Sequence, residues 1–290
     1  RDGDGRGETR TQFSFGFDQP VGMAIDPADG DVYISQSGKI TIARDTTGDL
    51  VADEYETLVS GLPYDLHKNN NLKFGPDGWL YMGVGSTCNV CVENDPRSAT
   101  IMRFEPQTGD MEIVATGLRN PFDLAFHPLT GDLFATENGR DDLGQFEPKE
   151  ELNHIRMGHD YGWPDCWDRF AGTGCADTTM AIGFFQARSS VNGLTFYRGD
   201  RFPAEYRDNV LFATVFGSWF FPQDIEHGIH QIRLTPDGDT WRSEVSWFAR
   251  WENTWLLPII DGPDGALYVT NYDINSLQAG TIWRISYGVP

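Results

Sequence analysis

The 290-residue chain has few lysines, few cysteines and no long apolar run. Only 4 of its 22 basic residues are lysine, and 43 acidic residues bring the formal net charge to −21. This charge argues against nucleic acid and anionic lipid as partners, because both would repel the chain. No apolar stretch approaches the roughly 18 residues of a membrane-spanning helix, so we expect no membrane insertion.

The remaining composition is that of a globular protein. Hydrophobic residues make up 39% of the chain and aromatic residues 13%, which is enough apolar mass to build a core. No long window has helical periodicity. Instead, apolar runs of strand length are separated by turns rich in Gly, Pro and Asp, so the sequence predicts an all-β fold.

One strand–turn–strand pattern recurs along the chain. An apolar strand ends in a Pro/Asp/Gly turn, and a second strand rich in Tyr, Phe and Val follows. Five copies are recognisable, and several continue into a third strand. They begin near residues 21, 72, 123, 193 and 256. Spacings of roughly 50–75 residues are typical of the four-stranded blades of a β-propeller.

The number of blades follows from the ends of this pattern. Residues 1–17 resemble the tail of a preceding blade, and residues 18–290 hold the five recognisable blades. We therefore predict one propeller domain over residues 1–290, with six blades of which the first is incomplete. A five-bladed propeller is the alternative.

The four cysteines form two local pairs, Cys88/Cys91 and Cys166/Cys175. The first pair has Cys-x-x-Cys spacing without the following His of a haem attachment site, since Val92 follows. A redox motif or half of a zinc site would share this spacing. Two small disulfide-closed loops are the simpler prediction, and they indicate an oxidising compartment, either the periplasm or the cell exterior.

An acidic segment at residues 45–56 has the spacing of a calcium loop. Six of the twelve residues in this segment would supply oxygen ligands to the ion. Leu50 stands at the sixth position, where such loops normally have glycine. The alternative is an acidic, solvated turn between strands. The predicted ligands are Asp45, Thr47, Asp49, Val51 (by its carbonyl), Asp53 and Glu56.

Four motifs follow one another in the middle of the chain: GLRNP at 117–121, TENG at 136–139, EELN at 150–153 and GHDYGWP at 158–164. This series resembles the soluble, pyrroloquinoline-quinone-dependent glucose/sorbosone (aldose sugar) dehydrogenase family. The resemblance covers roughly residues 20–290. It continues with His67, FGPDG at 74–78, NGLTFY at 192–197 and GPDGALY at 262–268.

The resemblance implies a six-bladed propeller with a quinone and a calcium ion on top of its axial channel. His67 matches the base that takes the proton of the sugar C1 hydroxyl while hydride moves to the quinone. A neutral imidazole suits that role at neutral pH. Arg119 matches the residue that stabilises charge on the quinone oxygen, and Asn120 lies beside it in the cofactor pocket. The backbone carbonyls of Gly139 and Arg140 match the calcium ligands.

Three positions depart from the family's pattern. The family holds the carboxylates of the quinone with a lysine and two arginines. Here the lysine position aligns near Phe216, and the arginine positions align near Trp255 and Leu257. A tricarboxylate needs cationic partners. Arg188 and Arg250 are the candidates to replace them from nearby loops.

Three function classes are consistent with these observations. The first is an extracytoplasmic, quinone- and calcium-dependent dehydrogenase that oxidises an aldose sugar or a related alcohol or aldehyde. The second is a catalytically silent propeller that serves as a binding or structural module of a larger extracellular assembly. A calcium-dependent lactonase is a third reading. It would need carboxylates lining the axial channel, whereas the acidic residues visible in the sequence map mainly to turns.

Overall fold

The computed structural model describes residues 9–217, 227–251, 255–272 and 280–288, which consist almost entirely of strands and turns. A short 3-10 helix lies at Ala204–Tyr206. No helix in these ranges is long and apolar enough to cross a membrane. The strands are β1 (Gly22–Ile25), β2 (Val32–Gln36), β3 (Lys39–Arg44), β4 (Glu54–Ser60), β5 (Asn69–Phe74), β6 (Leu80–Val84), β7 (Thr100–Phe104), β8 (Met111–Thr116), β9 (Pro121–Phe126), β10 (Leu133–Glu137), β11 (Glu150–Ile155), β12 (His159–Asp160), β13 (Cys166–Trp167), β14 (Ala171–Gly172), β15 (Gly183–Phe185), β16 (Val191–Phe196), β17 (Val210–Val215), β18 (His227–Asp237), β19 (Thr240–Trp251), β20 (Trp255–Asp261), β21 (Leu267–Tyr272) and β22 (Ile282–Ile285).

These strands form five blade sheets in chain order. Blade 1 is β1-β2-β3-β4, and blade 2 is β5-β6-β7-β8 with β12 added parallel to β8. Blade 3 is β9-β10-β11-β15, blade 4 is β16-β17-β18-β19, and blade 5 is β20-β21-β22. A small hairpin, β13-β14, stands apart from the blades. The prediction of an all-β propeller is confirmed.

The predicted number of blades is matched only in part. Five blades lie within the described ranges, as in the five-bladed alternative, and the expected sixth is not among them. Of the predicted tail of a preceding blade, residues 1–8 lie outside the described residues, and residues 9–17 contain no strand. Phe13 and Phe17 instead pack against the apolar cluster on the first blade, which contains Val32 and Ile34.

The core is divided among the spaces between successive blades. One apolar cluster joins blades 1 and 2, a second joins blades 2 and 3, a third joins blades 3 and 4, and a fourth joins blades 4 and 5. A strand that is covered on both faces consists of a nearly continuous run of apolar residues. Every residue of β17 is accordingly buried.

The innermost strands pack against one another around a common axis. Strand β1 contacts β5, β5 contacts β9, β9 contacts β16, and β16 contacts β20. The approach is close enough to require glycine: a Cβ on Gly193 of β16 would lie 2.6 Å from the backbone nitrogen of Ile259 in β20. The loops that enter the inner strands are therefore brought together at one end of the axis.

Candidate functional site

Three successive blades supply the site from equivalent places. His67 lies just before β5, Arg119 and Asn120 lie just before β9, and Arg188 lies just before β16. Because each segment enters an inner strand, all of them reach the same end of the axis. They line one cavity of about 180 Å³. Its other lining residues are Asn138, Gly139, Asp141, Glu150, Ser190 and Gly217.

His67 is held by Ser86. Its Nδ1 lies 3.0 Å from the carbonyl oxygen of Ser86 and 2.8 Å from the Ser86 hydroxyl. A carbonyl can only accept, so we assign the proton to Nδ1, which leaves Nε2 unprotonated. Burial, helped by the charge of Arg119, lowers the pKa of His67 to about 4. The imidazole is therefore neutral at neutral pH.

Arg119 is buried and its donors are engaged. The guanidinium donates to the carbonyl oxygen of Asn138 at 3.1 Å and to the carbonyl oxygen of Asn89 at 3.2 Å. Its Nη2 donates to Asn89 Oδ1 at 2.8 Å and to Asp141 Oδ2 at 2.5 Å. The guanidinium is consequently fixed in orientation on the cavity wall, with 3% of its side chain exposed.

Asp141 bridges the two arginines of the cavity. Its Oδ1 accepts from Arg188 Nη1 at 2.9 Å, while its Oδ2 accepts from Arg119. The Asp141 side chain is 56% exposed, whereas that of Arg188 is 5% exposed. An ion pair of this kind joins two loops from different blades across one side of the cavity.

Glu150 supplies a second carboxyl to the cavity. Its Oε2 accepts from the backbone N–H of Gly139 at 2.6 Å, and burial raises its pKa to about 7. Asp141 and Glu150 thus place carboxyl groups in the cavity, which differs from the expectation that acidic residues lie mainly in turns. Asn138 Oδ1, buried in the same cavity, has no hydrogen-bond partner among the described residues.

Two more buried carboxyl groups lie beside a second, smaller cavity of about 20 Å³. Glu137 of β10 stands directly opposite Glu151 of β11. Burial raises the pKa of Glu151 to about 8 and, together with the charge of Glu151, raises the pKa of Glu137 well above its usual range. Two carboxylates this close favour protonation of one of them.

The carbonyls predicted to bind calcium, those of Gly139 and Arg140, lie beside Arg188. The Arg140 oxygen accepts a hydrogen bond from Arg188 Nη1 at 2.5 Å. A divalent cation on that oxygen would lie within a few ångströms of a buried guanidinium, and like charges repel strongly in such a place. The donor set around Gly139 and Arg140 therefore does not fit calcium in this arrangement.

In the predicted calcium loop at residues 45–56, the carboxylates bind groups of the protein. Asp45 accepts from the backbone N–H groups of Gly48 and Leu50, each at 2.7 Å. Asp53 accepts from the Thr46 hydroxyl at 2.9 Å, and Glu56 pairs with Arg44. Leu50 has φ of 67°, the left-handed turn that glycine usually provides.

The ligands of this loop are not gathered around one point. In the described part of the chain, one group of three Asp, Glu, His or Cys side chains has its ligand atoms within 4.8 Å of one another: Cys88, Cys91 and Glu93. Its two cysteines are joined in a disulfide. Calcium at residues 45–56 stays a prediction.

The three positions that depart from the family's pattern are not among the residues that line the cavity, and two of them contact each other. Phe216 stacks on Trp255 with 5.3 Å between ring centroids. The Leu257 carbonyl accepts from the Thr214 hydroxyl at 2.8 Å. Of the two candidate replacements, Arg188 lines the cavity, whereas Arg250 lies in the outer strand β19 and stacks over Trp247 at 4.7 Å.

Both predicted disulfides are present: Cys88–Cys91 and Cys166–Cys175. The redox and zinc readings of these spacings are therefore not needed. The first disulfide also encloses Asn89, whose backbone and side-chain oxygens accept hydrogen bonds from Arg119. The cysteines thus have a role in the site that the sequence did not predict.

Seven residues of the site were not predicted from the sequence, and the four with a charged or amide side chain are Asn89, Asn138, Asp141 and Glu150; the others are Ser86, Ser190 and Gly217. Asn138, Asp141 and Glu150 lie within or next to the motifs quoted above. Their closeness in sequence to Gly139 and Arg140 could therefore have indicated that they belong to the site. Nothing in the sequence indicated Asn89, because its role depends on the conformation of a four-residue disulfide loop.

Sequence relatives support the resemblance. An uncharacterized protein of Borreliella burgdorferi is 28% identical over 222 residues, which are 69% of this chain and 58% of that protein. Aldose sugar dehydrogenase YliI of Escherichia coli K12 is 29% identical over 250 residues, which are 76% of this chain and 60% of that protein. The chain thus spans less than two thirds of the length of these relatives.

Solved structures share the fold. A Thermus thermophilus protein put forward as an oxidoreductase (glucose dehydrogenase) gives a TM-score of 0.72 at 23% identity, with 93% of this chain and 84% of that chain covered. A calcium structure of a Trichoderma reesei family AA12 protein gives 0.69 at 17% identity, covering 86% and 77%.

The holo form of the pyranose dehydrogenase PQQ domain of Coprinopsis cinerea gives a TM-score of 0.63 at 16% identity, covering 89% of this chain and 91% of that domain. The solved structures confirm the fold, and the similarity in sequence to aldose sugar dehydrogenase YliI confirms the predicted resemblance to sugar dehydrogenases. One protein family also matches this chain over residues 1–274, which is nearly the whole sequence. The chain belongs to the family described as Domain of unknown function (DUF7133).

Proposed function

We propose that this chain is the propeller of an extracytoplasmic, quinone-dependent oxidoreductase that oxidises an aldose sugar or a related alcohol or aldehyde. The observation that carries the proposal is the meeting of His67, Arg119 and Asn120 in one cavity, with His67 neutral. The similarity to aldose sugar dehydrogenase YliI and to a pyranose dehydrogenase PQQ domain supports it.

The cavity offers an anionic quinone two cationic partners, which Asp141 pairs with in the free protein. Two buried guanidinium groups, of Arg119 and Arg188, lie on its wall. Asn138 Oδ1, which has no hydrogen-bond partner among the described residues, offers an acceptor to a ligand hydroxyl or N–H. The quinone, when bound, supplies a two-electron hydride acceptor. Arg119, Arg188 and Asn120 are the residues that would hold it.

His67 supplies the proton acceptor. Nε2 takes the proton of the substrate hydroxyl, and the resulting positive charge is stabilised by the hydrogen bond from Nδ1–H to the Ser86 carbonyl. Arg119 stabilises negative charge that develops in the cavity, because its guanidinium is already oriented there. Asn120 is held in place by Asn70, whose Nδ2 donates to Asn120 Oδ1 at 2.9 Å.

Calcium takes no part in this proposed mechanism. Arg188 donates to the Arg140 carbonyl, one of the two expected ligands. The extracytoplasmic location is supported by the two disulfides, since such bonds persist in oxidising compartments.

The test is dye reduction with aldoses after incubation with the quinone. The matched pair of variants is His67→Gln and His159→Gln, since His159 lies away from the cavity and binds Thr179. We expect His67→Gln to lower the rate by roughly 10²–10⁴-fold, the usual contribution of a general base, while His159→Gln keeps the wild-type rate. Unchanged turnover in His67→Gln would remove His67 from the mechanism. Absence of turnover by the wild type with every aldose would refute the proposed dehydrogenase activity.

A catalytically silent binding module is the second candidate. The stacked pair Phe216 and Trp255, at positions where the family has cations, favours it. This module would bind a sugar or an anion in the same cavity and give no dye reduction. The lactonase reading is weaker, because it depends on calcium and the carboxyl groups of the cavity are bound to Arg119, Arg188 and Gly139.

A further inference from the structure

Arg188 is surrounded by the kind of atoms that usually surround a metal ion. Its guanidinium donates to three backbone carbonyl oxygens and one carboxylate. The acceptors are Arg140 O at 2.5 Å, Gly144 O at 2.8 Å, Glu147 O at 2.7 Å and Asp141 Oδ1 at 2.9 Å. Carbonyl and carboxylate oxygens are the ligands that calcium prefers in proteins. Here they enclose an organic cation.

The backbone at Arg188 supports a specific role. Its φ is 66°, a left-handed conformation that residues other than glycine rarely adopt and that tends to persist at functional sites. This conformation directs the side chain under the loop of residues 140–147, where it is 5% exposed. A second cation in the same place would meet the full repulsion of a buried charge.

Asp141 occupies the face of Arg188 that points to the cavity. Its two oxygens bridge Arg188 and Arg119, which is the geometry that a ligand carboxylate would adopt between two guanidinium groups. More than half of the Asp141 side chain is exposed, so it can rotate out without disturbing the core. Asn138 lines the same cavity, and its Oδ1, without a hydrogen-bond partner in the described part of the chain, suits a hydroxyl on such a ligand.

We infer that Arg188 takes the place of the divalent cation in this pocket, and that Arg188 and Arg119 form a metal-independent carboxylate site that Asp141 fills in the free protein. The ligand class is a hydroxylated or quinonoid carboxylate: the quinone itself or a sugar acid. This inference deepens the proposed function, since it concerns the same cavity.

Calorimetry on the whole chain tests the inference. The probes are pyrroloquinoline quinone and D-gluconate, with D-glucose as the uncharged control, each titrated in EDTA and again in excess calcium chloride. We expect at least one carboxylate probe to bind in EDTA, with a Kd that calcium changes by less than about threefold. The probe that binds identifies the source of the carboxylate.

Two variants separate the parts of the inference. Asp141→Asn removes the internal competitor, so the Kd of the binding probe should fall by about tenfold. Arg188→Gln should raise it by about tenfold or more, while Arg198→Gln, an exposed arginine paired with Asp261, leaves it unchanged. If Arg188→Gln does not fold, Asp141→Asn still tests the inference. We expect this variant to fold, because more than half of the Asp141 side chain is exposed.

Three results would overturn the inference: binding of both carboxylates only when calcium is present, equal affinity of Asp141→Asn and wild type, or no carboxylate binding at all. Failure of the proposed dehydrogenase looks different. In that case a carboxylate binds without metal, and dye reduction is absent with every aldose.

Discussion

Asn89 holds Arg119 with two oxygens. The backbone oxygen of Asn89 accepts from Arg119 Nε, and its Oδ1 accepts from Arg119 Nη2. The same Oδ1 also accepts from the backbone N–H of Asp141 at 2.8 Å. One short side chain therefore positions both members of the ion pair that faces the cavity.

Replacement of Asn89 tests this positioning. Asn89→Ala removes the acceptor shared by Arg119 and Asp141, and a lost hydrogen bond to a charged group is worth about 1.5–3 kcal/mol. We expect roughly tenfold weaker binding of the carboxylate probe by calorimetry. Asn89→Asp keeps an oxygen at that position and should retain more of the affinity. Equal affinity of Asn89→Ala and wild type would show that Arg119 does not depend on Asn89.

His67 makes stability depend on pH on the acid side. Burial holds its pKa at about 4 in the folded protein, whereas an unfolded histidine titrates near 6.5. Between these values the unfolded state binds more protons, so the free energy of unfolding falls as the pH falls. The wild type should lose on the order of 1–2 kcal/mol more than His67→Gln between about pH 7 and about pH 5. Urea unfolding at both values measures this, and parallel losses would contradict the low pKa.

Glu151 has the opposite effect on the alkaline side. Burial raises its pKa to about 8 in the folded state, while an unfolded glutamate titrates near 4.3. The folded state binds more protons between these values, so stability falls as the pH rises through this window. From about pH 5 to about pH 9, Glu151→Gln should lose less stability than the wild type, by an amount on the order of 4 kcal/mol. The exposed Glu244→Gln is the control and should follow the wild type.

Both disulfides can be checked by intact mass. The native chain should be lighter than the fully reduced chain by about four hydrogens, two for each of the bonds Cys88–Cys91 and Cys166–Cys175. A mass that matches four free thiols would contradict the structure and the inferred compartment together.

The calcium loop at residues 45–56 is tested by calorimetry with calcium. If the loop binds the ion, the wild type should release or absorb heat that Asp49→Ala does not, because Asp49 is a predicted ligand. The carboxylates of Asp45 and Asp53 would have to leave their present hydrogen bonds. Identical traces for the two proteins would remove this site.

The fold was largely predictable because its signal is local and repeated. Apolar alternation and Pro/Asp/Gly turns recur in every blade, and the five copies in the sequence correspond to the five blades of the structure. The sixth blade was inferred from a short terminal segment, and in the described part of that segment Phe13 and Phe17 cover blade 1 instead of forming strands.

The candidate site was predictable to the extent that its residues lie in motifs before inner strands. His67, Arg119 and Asn120 meet because each precedes such a strand. Arg188 and Arg250 could not be told apart from the sequence, since only the fold shows that one enters the axial end and the other lies on an outer strand. The bridge through Asp141 depends on how residues 140–147 fold over Arg188, and no spacing encodes that.

The segment of residues 86–91 contacts two residues of the cavity and carries a disulfide. Ser86 holds His67, Asn89 holds Arg119, and the Cys88–Cys91 bond closes the turn between them. In a chain whose thiols are reduced, the segment that contacts His67 and Arg119 lacks the Cys88–Cys91 bond and is held by hydrogen bonds alone. Under the proposed function, we therefore expect the oxidised chain to be the form whose cavity is best ordered for a ligand, as an oxidising compartment would provide.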